Sequence, residues 1–242
     1  MSFRYITQSN TGLKRSDNED ALGVFEIDGG MLVVVCDGLG GNKAGDVASK
    51  LAVKTIASRF KEAVEKDILE RIKDAILEAN RTVLEESNKD FDMKGMATTV
   101  EALFLKDDHA YWGHVGDSRI YYFKKSKLKQ LSKDHSLVQK LVDEGYLTLK
   151  EAEHHPNKNI IMRALGDNVS VEVDLSKLKI SSSDYGKFFL CSDGVTTVVN
   201  DAELEELLSG SDFDQISDEL SNLVEERGAP DNYSFVILTR DK

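Results

Sequence analysis

Residues 97–123 read ATTVEALFLKDDHAYWGHVGDSRIYYF, and they hold three strand-like runs, 97–105, 110–115 and 119–123. The connections between these runs are only a few residues long. That is too short for a helical crossover, so antiparallel pairing is expected. Upstream, runs 21–27 and 31–36 flank Asp28-Gly29-Gly30, a hairpin signal, and the second run is wholly apolar, as a buried strand requires. A glycine-rich loop follows, with Gly38, Gly40, Gly41 and Gly45. Ala48, Leu51, Ala52, Thr55, Ile56 and Phe60 then recur at helical spacing. Ile68, Leu69, Ile72, Ala75, Ile76, Ala79 and Val83 do so more cleanly, with charged opposite faces, as helices laid on a sheet would. Downstream, 135–167 is polar and helical in part, 187–191 and 233–239 read as strands, and 204–208 and 216–224 read as helices. Antiparallel strands mixed with helix pairs predict an α+β fold rather than a doubly wound sheet. With no repeat and no composition break, 1–242 is read as a single domain.

The 242 residues include 43 acidic and 31 basic ones, a formal charge of −12. That balance excludes a basic nucleic-acid footprint and disfavours an anionic membrane surface. The longest apolar run is far below the ~20 residues that span a bilayer. No basic-then-apolar stretch opens the chain, so no signal peptide is expected. Cys36 and Cys191 each sit inside an apolar run. They form no disulfide framework and fit a reducing compartment, so a cytoplasmic location is expected.

The chemistry lies in a repeated local grammar, an apolar strand with an aspartate beside a glycine at its mouth. It occurs at Cys36-Asp37-Gly38, Val115-Gly116-Asp117 and Cys191-Ser192-Asp193-Gly194. Its mirror image, Asp231-Asn232, opens the last strand, and Glu19-Asp20 precede the second. One Asp-Gly pair is ordinarily a turn. Several beside fully apolar strands are not, because aspartates rarely adjoin such strands unless paired or bound to a metal. Two carboxylates ~4 Å apart repel by about 4 kcal/mol at an effective dielectric of about 20. If the strand ends converge, a cation is needed, and an all-oxygen donor set suits magnesium or manganese. Zinc spacing, an EF-hand, a P-loop and a Gly-x-Ser-x-Gly elbow are all absent from the sequence. A carboxylate cluster around two hard ions suits hydrolysis by in-line phosphoryl displacement, and Arg15 is placed to clamp a phosphate.

The motifs Arg15-x-x-Asn18-Glu19-Asp20-Ala21, Asp37-Gly38-Leu39-Gly40-Gly41, Gly95-Met96-Ala97-Thr98-Thr99, Val115-Gly116-Asp117-Ser118-Arg119, Ser192-Asp193-Gly194 and Asp231-Asn232 occur in this order. The set resembles the PPM family, metal-dependent phosphatases of the protein phosphatase 2C type, in its compact bacterial form. Asp134-His135-Ser136, His155-Pro156 and Arg163-Ala164-Leu165-Gly166 resemble the flap of bacterial members, placed here at about 135–167. The resemblance implies an antiparallel β-sandwich with a helix pair on each outer face, an α-β-β-α order. It implies that Asp37 bridges two manganese or magnesium ions, with the Gly38 carbonyl on one and Asp193 and Asp231 on the other. Asp117, with Asp193, would form a weaker third site. Glu19 and Asp20 would hold metal-bound waters, Asn232 would support Asp231, and Arg15 would bind the substrate phosphate.

The implied activity is hydrolysis of phosphoserine and phosphothreonine in proteins, by direct attack of water held between the two ions. Implied partners are phosphoprotein substrates, a serine/threonine kinase among them, and the chain is read as a monomer. Leu39 stands where animal members carry a histidine proposed as the general acid. The leaving-group acid is thus unassigned, with a metal-bound water and His135 as candidates. Two other functions compete: a phosphatase dedicated to one regulatory partner, and a catalytically silent phosphoprotein-binding scaffold.

Overall fold

Every residue of the strand Gly30–Cys36 is buried, and successive side chains serve different layers. Leu32, Val34 and Cys36 pack against helices, whereas Met31, Val33 and Val35 pack against a second sheet. A strand covered on both faces must be apolar throughout, which is why this run lacks the usual alternation.

The structure is a computed structural model that describes residues 2–40, 44–64, 66–180 and 186–240. In chain order the strands are β1 (Phe3–Asn10), β2 (Ala21–Ile27), β3 (Gly30–Cys36), β4 (Gly38–Leu39), β5 (Ala97–Thr98) and β6 (Val100–Lys106). They continue with β7 (His109–Val115), β8 (Arg119–Lys124), β9 (Lys127–Gln130), β10 (Asp174–Lys179), β11 (Lys187–Cys191) and β12 (Tyr233–Arg240). The helices are α1 (Ala44–Glu62), α2 (Ile68–Ser87), α3 (Leu137–Asp143), α4 (Leu149–Glu153), α5 (Asp193–Thr196), α6 (Asp201–Ser209) and α7 (Phe213–Glu226).

Two five-stranded antiparallel sheets, ordered β1-β12-β11-β8-β9 and β10-β7-β6-β3-β2, face each other. The layer between them holds Val33, Val35, Leu103, Trp112, Ile120, Leu190, Val236 and Leu238. Outside the second sheet lie α1 and α2, where Ala48, Ala52, Ala75 and Ala79 allow close approach and Phe60 meets Phe104 at 4.7 Å. Outside the first lie α6 and α7, which bury Leu204, Leu208, Ile216 and Leu220 on Phe189, Phe235 and Ile237. Each such side chain contributes about 1.5–3 kcal/mol by leaving water. The layers therefore run α-β-β-α, as expected.

The expected pairing of the three runs in 97–123 needs two corrections. Runs β6 and β7 pair with each other, but β8 crosses to the opposite sheet and pairs with β9 and β11. Gly116, at φ +117, turns the chain across the sandwich. In addition, Ala97–Thr98 leave the first run to form a small separate sheet with Gly38–Leu39. Residue Gly41 of the glycine-rich loop lies outside the described residues. No helix among the described residues is long and apolar enough to cross a membrane.

Candidate metal centre

Strand register alone brings the predicted aspartates to one end of the sandwich. Cys191 lies opposite Phe235 and Arg119, so the C-terminal end of β11 meets the starts of β12 and β8. In the other sheet Ala21 lies opposite Cys36, Val35 opposite Glu101, and Val100 opposite Val115. Asp20, Asp37, Asp117, Asp193 and Asp231 therefore all leave or enter strands at the same mouth. Arg15 and Glu19 arrive on the loop between β1 and β2.

The backbone around Asp37 is fixed from three sides. Its N–H donates to Thr99 Oγ1 at 2.9 Å, and its carbonyl accepts from the Thr99 N–H and Thr98 Oγ1, each at 2.9 Å. Thr99 Oγ1 in turn lies 2.8 Å from Ser118 Oγ, beside Asp117. The Gly38 N–H donates to the Glu19 carbonyl at 3.1 Å. A Cβ on Gly38 would stand 2.3 Å from the Gly45 carbonyl oxygen and 2.4 Å from that of Glu19, so only glycine fits.

The opposite wall is built on serines. Ser192 Oγ donates to Asp20 Oδ2 at 2.7 Å and accepts from the Ser234 N–H at 3.0 Å. Asp231 accepts from the Asn232 N–H at 2.8 Å and from the Arg15 guanidinium at 2.8 Å. The Asn232 side chain serves elsewhere. Its Oδ1 accepts from the Glu19 N–H, and its Nδ2 donates to the carbonyls of Thr11 and Asp17. Asn232 thus ties the Arg15–Glu19 loop to β12, and it reaches Asp231 through its backbone rather than its amide.

Electrostatically the mouth is overloaded with negative charge. Burial, then the charges of Asp20, Asp193, Asp117 and Asp231, hold Asp37 well above the usual carboxylate range. Burial and Asp193 push Asp117 up to about 8. Burial pushes Asp20 up to about 7, although the Ser192 hydrogen bond opposes it. Burial, then the charge of Asp231, raise Asp193. Burial also raises Glu19, against the pull of Arg15. Oδ1 of Asp20 and Oδ1 of Asp117 are buried without a hydrogen-bond partner among the described residues. Buried orphan acceptors among crowded carboxylates, and a glycine cradle that opens a carbonyl, fit a hard divalent cation. Among the described residues, no three Asp, Glu, His or Cys side chains already stand at ligand spacing around one point.

The histidines and cysteines lie outside this donor set. His135 Nδ1 accepts from the Gly116 N–H at 3.1 Å, and burial, then the charges of His114 and Arg163, pull the ring down to about 4. With Nδ1 accepting from Gly116, the proton of the neutral ring sits on Nε2, which faces Asp174 and Arg163. His114 is satisfied at both nitrogens, by Glu101 Oε1 at 2.5 Å and the Lys133 carbonyl at 2.8 Å. Cys36 and Cys191 are buried free thiols that burial pushes up, so neither is a nucleophile. Thr98, Thr99, Ser118, Ser192 and Ser234 carry the scaffold, and the sequence reading gave them no role. Their signal was position, since each lies next to, or one strand pair away from, a predicted aspartate.

Comparison with known proteins identifies the family and the fold. A family profile described as Protein phosphatase 2C matches residues 13–233. The serine/threonine phosphatase stp of Listeria monocytogenes serotype 4b (strain F2365) is 36% identical over 240 residues, 97% of this chain and 94% of that protein. The crystal structure of the Mycobacterium tuberculosis serine/threonine phosphatase PstP/Ppp superposes with a TM-score of 0.91 at 32% identity, covering 99% of each chain. The catalytic domain of the serine/threonine protein phosphatase PstP in complex with two manganese ions gives a TM-score of 0.87 at 32% identity, again over 99% of each chain.

Proposed function

Because the chain belongs to the protein phosphatase 2C family and is a metal-dependent serine/threonine protein phosphatase, we propose that hydrolysis takes place at the mouth of its β-sandwich. The observation that carries this assignment is the gathering there of five aspartates from distant segments, with orphan acceptors on Asp20 and Asp117. In this reading Asp37, the Gly38 carbonyl, Asp193 and Asp231 would hold two manganese or magnesium ions, and Asp117, with Asp193, would hold a weaker third. When bound, such ions supply Lewis acidity that activates water and neutralises phosphate charge.

The side chains do the rest. Glu19 and Asp20 accept hydrogen bonds from water and orient it, and the free Asp20 Oδ1 is available for that. The Arg15 guanidinium spends one N–H on Asp231 and has others to offer a phosphate oxygen. Leu39 is apolar and His135 is committed to Gly116, so the leaving seryl or threonyl oxygen takes its proton from solvent at the open mouth. All the core carboxylates and Arg15 are present, which disfavours a silent scaffold.

The chain is further read as one catalytic unit, 1–242, with residues 135–167 as a flap that shapes substrate choice. Substrates are phosphoproteins, a serine/threonine kinase among them, and the protein acts as a monomer in the cytoplasm. The acidic charge of −12 and two buried free thiols support that placement. The test is phosphopeptide hydrolysis with and without manganese, for wild type and Asp37→Asn. Wild-type activity should require the ion, and the variant should lose at least about a hundredfold while remaining folded by circular dichroism. Wild-type turnover by Asp37→Asn in saturating manganese overturns the assignment.

A further inference from the structure

The proposed chemistry leaves unused a column of polar side chains that runs from the sandwich interior to the mouth. Glu101 and His114 are almost wholly buried on the inner faces of β6 and β7. They are joined at 2.5 Å, and His114 Nε2–H also donates to the Lys133 carbonyl. Burial pushes Glu101 up to about 7 against the pull of His114. Burial would lower His114, but the charge and hydrogen bond of Glu101 raise it. Such a pair is a poor source of stability, since apolar residues of similar volume often do as well. What the pair holds in place is the informative part.

The His114 ring lies against that of His135, centroids 4.4 Å apart. His135 brackets one residue from both sides: its own N–H donates to the Gly116 carbonyl at 2.7 Å, and its Nδ1 accepts the Gly116 N–H at 3.1 Å. Its Nε2 faces Asp174 Oδ2 at 3.3 Å and an Arg163 nitrogen at 3.0 Å. Gly116 has φ +117, and a Cβ there would stand 2.6 Å from the Thr99 side chain, so the turn depends on outside contacts for its shape. The next residue is Asp117, with its orphan Oδ1.

We infer that His135, backed by the Glu101–His114 pair, is a positioning residue that fixes the Gly116–Asp117 turn and so sets Asp117 against Asp193. The kinetic consequence rests on reading Asp117 as part of the metal centre. The contact with Gly116 does not. His135→Phe keeps a ring against His114 but removes the acceptor, and His135→Asn keeps an acceptor at the same distance from the backbone but removes the ring.

Two readouts test the role. The first is hydrogen exchange of the Gly116 amide, followed by NMR in EDTA. Protection should be lost in His135→Phe and kept in His135→Asn. The second is the manganese concentration that gives half-maximal hydrolysis of p-nitrophenyl phosphate. It should rise about tenfold in His135→Phe, stay within about twofold of wild type in His135→Asn, and not change further when His135→Phe is added to Asp117→Ala. Retained Gly116 protection in His135→Phe, or a full additional loss in the double variant, overturns the inference. Undiminished turnover by Asp117→Ala would instead overturn the reading of Asp117, and the exchange result would then decide the positioning role alone.

Discussion

Arg15 and Asp231 meet at 2.8 Å with the Arg15 side chain 53% exposed, a pair that as a surface ion pair contributes under about 1 kcal/mol to stability. Its value lies in orientation. Asp231 holds the guanidinium at the edge of the carboxylate mouth, where the overall field would otherwise repel a phosphate. Replacing Arg15 with alanine should therefore leave the melting temperature within a degree or two, about the size of a surface-pair effect. It should lower kcat/KM for a phosphopeptide about tenfold to a hundredfold, mostly through KM. Lysine should recover only part, because a point charge lacks the planar fork. Unchanged kcat/KM in Arg15→Ala, measured by steady-state kinetics, would reduce the contact to a surface ion pair.

Among the elements, the interior was legible in the sequence, and of the edges of the two large sheets only β2 was. The strands β3, β6, β11 and β12 are apolar because both faces are covered, and the α1, α2, α6 and α7 periodicities follow from one buried stripe each. Apart from the two-residue β4, the strands not expected from the sequence, β1, β9 and β10, are all edge strands of the two large sheets. Segments such as Lys127–Gln130 and Asp174–Lys179 carry lysines and acids because an edge is paired on one side only and charge protects it from further pairing. The crossing of β8 to the opposite sheet was also hidden, since Ile120 has the same apolar character whichever sheet it joins. In the site, the aspartates announced themselves through glycine neighbours and apolar strands. The threonines and serines that hold them did not, because a hydroxyl facing a backbone N–H across a sheet looks like any polar residue in the sequence. Asn232 meets Asp231 through its backbone N–H, while its side-chain amide pins the Arg15–Glu19 loop, a second role set by the three-dimensional path of that loop.

For the whole molecule, the sandwich spends stability to gather like charges at one end, and this has a pH signature. Asp20 and Asp117 titrate near 7 and 8 in the folded protein, whereas an unfolded aspartate titrates near ~3.9. Well below that ordinary value both states are protonated and nothing is lost. Between about pH 4 and 8 the folded state holds more protons than the unfolded one, so stability falls as pH rises. In EDTA the melting temperature should drop from pH 5 to pH 8, and manganese should raise it most at pH 8, where its ligands are ionised. A melting temperature in EDTA that rises over this interval would contradict the electrostatic account. Whether these carboxylates hold a pair of ions is read directly in an anomalous difference map from crystals grown with manganese. Two strong peaks are expected at the mouth, both touching the Asp37 carboxylate, with Asp193 and Asp231 on one of them. Peaks elsewhere, or an Asp37 that contacts neither, would contradict the two-ion centre.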